Sequence, residues 1–197
     1  MRKWILIIGT ILLLYSSVAR ADALGDGVEA YKKNNFAQAL ELLLPLATQG
    51  NAVAQYALGL MYNNGEGVTK DYQEAAKWYR LAAKQGSMNA QYALGLMYDN
   101  GEGVTKDYQE AAKWYRLAAG QGSVNAQYNL GLMYSNGEGA TQNYVRAHMW
   151  FSLAASKGNK DAKENLVHVV RKMTASQIAD AQRIARDCEK KKYKNCE

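Results

Sequence analysis

The stretch from Ala54 to Gly86, AQYALGLMYNNGEGVTKDYQEAAKWYRLAAKQG, returns at Ala90 to Gly122 and, loosened, at Ala126 to Gly158. Gly50, Gly86, Gly122 and Gly158 stand 36 residues apart and mark the period. Ala54–Ala83 and Ala90–Ala119 differ at one position, Asn63 against Asp99. No other property of the chain restricts its fold so strongly. A unit copied at this length is a supersecondary element that can bury its apolar face only against its neighbours, so it implies a stacked array. A repeat this faithful builds a surface rather than one active centre.

Each copy has the same four parts. Asn51, Ser87, Ser123 and Asn159 follow the marker glycines and can cap a helix through their side-chain oxygens. Helix A follows, over about Ala52 to Asn63 in the first copy. In the loop Gly65-Glu66-Gly67-Val68, two glycines supply positive φ and Val68 can return to the core. Asp71 opens helix B, and Asp71-x-x-Glu74 has the spacing of a capping box, repeated at Asp107 and Glu110. In the third copy Asn143 and Arg146 keep the cap without the box. Helix B is expected to end at Gln85, with Gly86 in a left-handed cap.

Helical periodicity assigns the faces. Ala54, Leu58, Met61 and Tyr62 share one side of helix A. Tyr72, Ala75, Ala76, Tyr79, Ala82 and Ala83 form the facing stripe of helix B. Gly59, Gly95 and Gly131 fall inside helix A, where glycine costs about 1 kcal/mol against alanine. Their recurrence predicts a contact too close for a Cβ. Leu24–Lys33 and Phe36–Gln49 read as a shortened first pair, in which Pro45, the only proline, kinks or breaks the second helix. Near the end, Lys and Glu residues enter the pattern. A last helix is expected over Ala175–Lys190, with Thr174-x-x-Gln177 as its capping box and Ile178, Ala181, Ile184, Ala185 and Cys188 as its apolar face.

These residues resemble the Sel-one-like repeat, a longer relative of the tetratricopeptide repeat. The resemblance is carried by the A-x-x-x-L-G-x-x-Y helix, the G-x-G-V loop, the D-Y-x-x-A-x-x-W-Y-x-x-A-A helix and the trailing glycine, over about Asn51 to Gly158. It implies an all-α fold: a right-handed α-solenoid of antiparallel helix pairs, closed here by a C-terminal capping helix. It also implies an adaptor or scaffold role, and for exported bacterial members work in the cell envelope or at a host. A cysteine-rich branch of the family is linked to β-lactam binding. No repeat of this chain contains a cysteine, so that activity is not carried over.

The N-terminus reads as an export signal: basic Arg2 and Lys3, an apolar run from Trp4 to Tyr15, and the small-x-small site Ala19-Arg20-Ala21. The expected organisation is a signal peptide at 1–21, a shortened helical repeat at 22–50, three repeats at 51–158, and capping helices with a basic tail at 159–197. The formal charge of +6 includes Arg2, Lys3 and Arg20, which leave with the signal, so it makes no strong case for nucleic acid. Cys188 and Cys196 are the only cysteines, and in an exported chain they predict one disulfide.

The helix A surface opposite the core stripe carries the candidate protein-binding residues. They are Tyr56 and Leu60, then Tyr92, Leu96 and Asp99, then Tyr128 and Leu132, with Asn129 beside them. Stacking would align them as columns on a concave face. Aromatic columns with polar edges suit peptide or protein recognition, and the same tyrosines can equally pack between helices. Trp78, Trp114 and Trp150 are expected to pack, and His148 and His168 to be surface or partly packed residues. Lys190–Lys192 and Lys194 read as a solvated tail. No catalytic, metal or cofactor motif is present in the sequence. The expected protein is a periplasmic or secreted scaffold that is not an enzyme and binds a protein or peptide, with neither a nucleic-acid partner nor a stable membrane span after cleavage. The alternatives are an envelope module that binds peptidoglycan or a cell-wall enzyme, and, further off, an enzyme acting on cell-wall or β-lactam compounds.

Overall fold

The computed structural model describes residues 23–194 and Cys196. The expected export signal lies outside the described residues. The chain divides into two compact units, Met1–Gln85 and Gly86–Glu197.

In the first unit, helix α1 spans 23–32, α2 Phe36–Thr48, α3 Ala52–Asn64 and α4 Tyr72–Lys84. Asn35 caps α2, and Pro45 sits inside that helix without ending it. Asn51 caps α3, its side chain accepting from the amides of Val53 and Ala54 at 3.0 Å. Gly65 closes α3 at φ +77°, and Gly67 follows at φ +72°; in both, the left-handed turn of the loop requires glycine. A Cβ on Gly67 would also meet the Phe36 carbonyl oxygen at 3.0 Å, so the loop rests on the start of α2. The core is alanine-rich, joining Ala39, Leu43 and Ala47 to Ala54, Leu58 and Met61.

The second unit runs α5 Met88–Asn100, α6 Tyr108–Gly120, α7 Val124–Asn136, α8 Tyr144–Ser156, α9 Lys160–Val170 and α10 Ala175–Lys190. Caps fall where the sequence places them: Ser87, Asp107, Ser123, Asn143, Asn159 and Thr174. One expectation is corrected. Asp71 and Asp107 cap two amides each, but Glu74 and Glu110 turn to Lys77 (2.8 Å) and Lys113 instead of reaching back. A lysine three residues on offers those carboxylates a partner on their own helix face. Among the described residues the complete box is that of Thr174 and Gln177.

The fold class is the expected one, an all-α solenoid of antiparallel helix pairs with a capping helix. Its terminal unit departs from the repeat rule. α3 packs on α4, α5 on α6 and α7 on α8, whereas α10 returns to pack against α8. The sequence prepares α8 for this. Met149 replaces Lys77 and Lys113, and it is fully buried. Leu153 is 1% exposed, whereas its counterparts Leu81 and Leu117 are 46% and 50% exposed. α10 brings Ala181, Ala185 and Cys188 to this face, all buried. His148, the counterpart of Ala112, is also buried rather than at the surface, with Nδ1 3.2 Å from the Ser152 hydroxyl.

Among the described residues no helix is long and apolar enough to cross a membrane.

Candidate functional site

The glycine inside helix A organises the face that carries the candidate residues. The Tyr79 ring lies on Gly59, the Tyr115 ring on Gly95 and the Phe151 ring on Gly131. A Cβ at Gly95 would stand 2.6 Å from two Tyr115 ring carbons. The first tyrosine of helix A then covers the same ring. Tyr56 meets Tyr79 at 5.8 Å between centroids, Tyr92 meets Tyr115 at 5.9 Å, and Tyr128 meets Phe151 at 5.9 Å, all tilted. Glycine, buried ring and covering tyrosine thus recur in every copy. Aromatic pairs at this distance add about 0.5–1.5 kcal/mol to their area burial.

Tyr56, Tyr92 and Tyr128 are therefore half-buried: one face packs and the remainder stays open. Burial pushes all three phenols above their ordinary range, so they are neutral hydrogen-bonding groups at physiological pH. Leu60, Leu96 and Leu132 are half-buried beside them. Asp99 accepts a hydrogen bond from the Tyr115 hydroxyl at 3.1 Å, and burial raises its carboxyl above the usual range. Asn129 of α7 interacts with the hydroxyls of Tyr92 and Tyr115, opposing the rise that burial imposes on them. Within the second unit, the faces of α5 and α7 therefore meet at Asn129. In the third copy Phe151 has no hydroxyl, and Ser135 stands where Asp99 did.

One set of residues was missed from the sequence. Gln55, Gln91 and Gln127 precede the tyrosines and are buried at 3%, 4% and 0% exposure. Gln55 donates to the Ala47 carbonyl at 3.0 Å and accepts from Gln85 at 2.7 Å. Gln91 accepts from Gln121 at 2.7 Å, and Gln121 also donates to the Gly86 carbonyl at 3.0 Å. Gln127 donates to the Ala119 carbonyl at 3.3 Å, but Lys157 replaces the second glutamine, and the Gln127 Oε1 has no partner among the described residues. The Gln55–Gln85 and Gln91–Gln121 pairs tie α3 and α5 to the C-cap of the helix that follows each, and the carbonyls of Ala47 and Ala119 tie α3 and α7 to the end of the helix before. The signal was the A-Q-Y triplet, whose glutamine never changes between copies.

Cys188 and Cys196 are joined in a disulfide. No group of three or more His, Cys, Asp or Glu side chains that could hold a metal ion occurs among the described residues. His168 is exposed.

Stacked antiparallel helix pairs joined by glycine-led loops define a tetratricopeptide-like repeat protein. The Sel1 repeat model matches residues 18–51, 52–87, 89–123 and 124–159, which is most of the chain, and the chain belongs to the Sel1 repeat family. It is similar to the crystal structure of a protective antigen of uropathogenic Escherichia coli strains that displays an SLR fold. There the TM-score is 0.71 and the identity 39%, over 77% of this chain and 34% of that one. A Sel1 repeat protein from Oxalobacter formigenes matches with TM-score 0.70 and 38% identity, over 74% of this chain and 58% of that one. Cysteine rich protein B of Helicobacter pylori matches at TM-score 0.53 and 25% identity, over 66% of this chain and 96% of that one. The chain thus spans about a third of the Escherichia coli antigen and less than two thirds of the Oxalobacter protein. No curated protein matches it significantly.

Proposed function

We propose that this protein is an exported, non-enzymatic repeat scaffold that binds a protein or peptide through the tyrosine-bearing face of its helix A segments. The contact residues are Tyr56, Leu60, Tyr92, Leu96, Asp99, Tyr128, Asn129 and Leu132. One observation carries the reading. At the same two positions of every copy, a tyrosine and a leucine are left half-open, although the buried ring beneath needs only one face of the tyrosine. Tyrosine combines a large apolar area, few rotamers and one hydroxyl, which is why it concentrates binding energy at interfaces. Asp99 and Asn129 supply the polar edge.

Export rests on the order of charges, apolar run and small residues in 1–21. The chain is read as a signal at 1–21, a shortened repeat at 22–50, three repeats at 51–158 and a capping segment at 159–197. Mass spectrometry of the exported protein should begin at Asp22, and a full-length cytoplasmic product would refute the assignment.

The binding face is tested by crosslinking capture from the envelope fraction. Tyr→Ala variants would damage packing and binding together, so Leu96→Asp and Leu132→Asp are the better probes. Both should lose the captured partner with little change in melting temperature. Leu117→Asp, on helix B, should keep it. Capture that survives both helix A substitutions would remove the binding face from this surface.

A further inference from the structure

The last turn of a helix A faces the loop of the next repeat, and the pair of residues that meets there differs between the two units. Gly27 lies against Leu43 as Gly59 lies against Tyr79, so α1 is a helix A. Tyr31, one turn past Gly27, is then the counterpart of Asn63 and Asp99. The loops sit alike as well. A Cβ added at Gly67 would strike Phe36 at the start of α2, and one added at Gly139 would strike Tyr108 at the start of α6. In the first unit the Tyr31 hydroxyl donates to Glu66 of that loop at 2.7 Å. In the second unit Asp99 stands in the place of Tyr31, and Glu138 in the place of Glu66. A donor facing a carboxylate has become a carboxylate facing a carboxylate.

Both carboxylates are half-buried. Asp99 accepts from the Tyr115 hydroxyl at 3.1 Å, and Glu138 accepts from the Asn136 side-chain amide at 3.1 Å. Neither belongs to an ion pair among the described residues. The Lys106 ammonium acts on both from a distance, but it is exposed and stands over the Tyr108 ring, 4.5 Å from the centroid. Burial, and after it the charge of Glu138, raise the Asp99 carboxyl, opposed by the Tyr115 hydroxyl and by Lys106. Two carboxylates held together out of full solvent repel unless a cation joins them. Apolar surface adjoins the charge: Leu96 lies one turn before Asp99, and its counterpart Leu132 lies on α7, both half-buried.

We propose that Asp99 and Glu138 together hold the cationic end of an arginine or lysine of the bound polypeptide, with an apolar residue beside it on Leu96 and Leu132. This rests on the tyrosine-face reading and adds the class of partner, a segment that sets a basic side chain next to an apolar one. A guanidinium or ammonium carries several donors and no acceptor, so a single group satisfies both carboxylates. Its aliphatic stem lies along the leucines while the charge stays at the rim. In the first unit Tyr31 already satisfies Glu66, so the same site does not arise there. Among the described residues no third His, Cys, Asp or Glu joins the pair, which leaves a metal ion short of ligands.

The test is fluorescence anisotropy with two peptide amides carrying a neutral dye, Gly-Leu-Ser-Arg-Leu-Ser-Gly and the same chain with citrulline, the uncharged isostere, for arginine. A charge-assisted contact is worth about tenfold or more, so the arginine peptide should bind at least that much tighter. Asp99→Asn, the residue that the first copy carries, should bring the ratio of the two affinities close to one without changing the melting temperature. Glu138→Gln should lower that ratio as well. Asp180→Asn, which removes a carboxylate of α10, should leave it unchanged and so exclude a general attraction to acidic surface. Leu132→Ser should weaken both peptides alike. If it does not, while Asp99→Asn abolishes the preference, the carboxylate pair stands and the tyrosine face is refuted. Equal binding of the two peptides, removed by Leu132→Ser, would keep the face and overturn this proposal. Absence of binding at millimolar peptide, or a preference that survives Asp99→Asn, would also overturn it. So would loss of binding in millimolar calcium chloride but not in sodium chloride of equal ionic strength, which would give the pair to a metal ion.

Discussion

Gly95→Ala tests the packing of the repeat most directly, because backbone and side-chain arguments predict opposite signs. A glycine inside a helix is about 1 kcal/mol less favourable than alanine, so on propensity alone the substitution stabilises. The new Cβ would stand 2.6 Å from Cδ1 and Cε1 of Tyr115. That ring has no exposed surface. Its hydroxyl is tied to Asp99 at 3.1 Å, and the Tyr92 ring lies at 5.9 Å. The ring can retreat only by disturbing these contacts, and overpacking of this kind costs about 1–3 kcal/mol. Set against the propensity gain, the expected result is a net loss of about 1 kcal/mol, or roughly 2–4 °C in melting temperature at this chain length. In a Tyr115→Leu background the ring is absent and the helix gain remains. There Gly95→Ala should stabilise by up to about 1 kcal/mol, giving a coupling of about 2 kcal/mol across the cycle. Urea unfolding of the four proteins, followed by far-UV circular dichroism, measures it. If Gly95→Ala stabilises the native sequence, or shifts both backgrounds alike, the ring does not hold that glycine.

Removing the disulfide as Cys188→Ser with Cys196→Ser should cost about 2–3 kcal/mol in the loop-entropy model, seen as faster hydrogen exchange confined to the last turn of α10 and the tail. Intact exchange protection there would show that packing alone holds the tail. His148 is buried, which lowers its pKa below the ordinary histidine value. The unfolded chain therefore binds this proton more readily, and stability should fall as pH drops from about 7.5 to about 5.5, through the unfolded pKa toward the folded one. His148→Ala, the residue the second copy carries, should flatten that slope in melting curves. Gln55→Leu breaks two hydrogen bonds, one buried and one part-buried, and Gln127→Leu only one, its Oε1 having no partner among the described residues. Denaturant midpoints should place the first about 1 kcal/mol below the second.

Much of this architecture was legible in the order of residues, because local rules set it. Asn51, Ser87, Ser123 and Asn159 cap helices for the reason that selects those residue types anywhere: a short side chain with an oxygen in reach of free amides. Gly65 and Gly67 appear where the loop turns left-handed. Gly59, Gly95 and Gly131 announced a close contact, although the sequence named no partner for it. Repetition did the rest, since three near-copies must meet their neighbours in the same way.

The tertiary structure decided what depends on position in the array. Nothing local in Ile178–Cys188 says that α10 leaves α9 and returns to α8; the exchange of Lys113 for Met149 acquires meaning only when the two helices meet. The same holds for the glutamines, whose burial follows from the carbonyls they face. Tyr56, Tyr92 and Tyr128 were open to two readings in sequence, and each proved to pack one face on a buried ring and leave the rest half-open. Caps and turns are contests within a few residues of chain, and composition settles them. Burial is a contest among surfaces far apart in sequence, and only the packed fold brings those surfaces together.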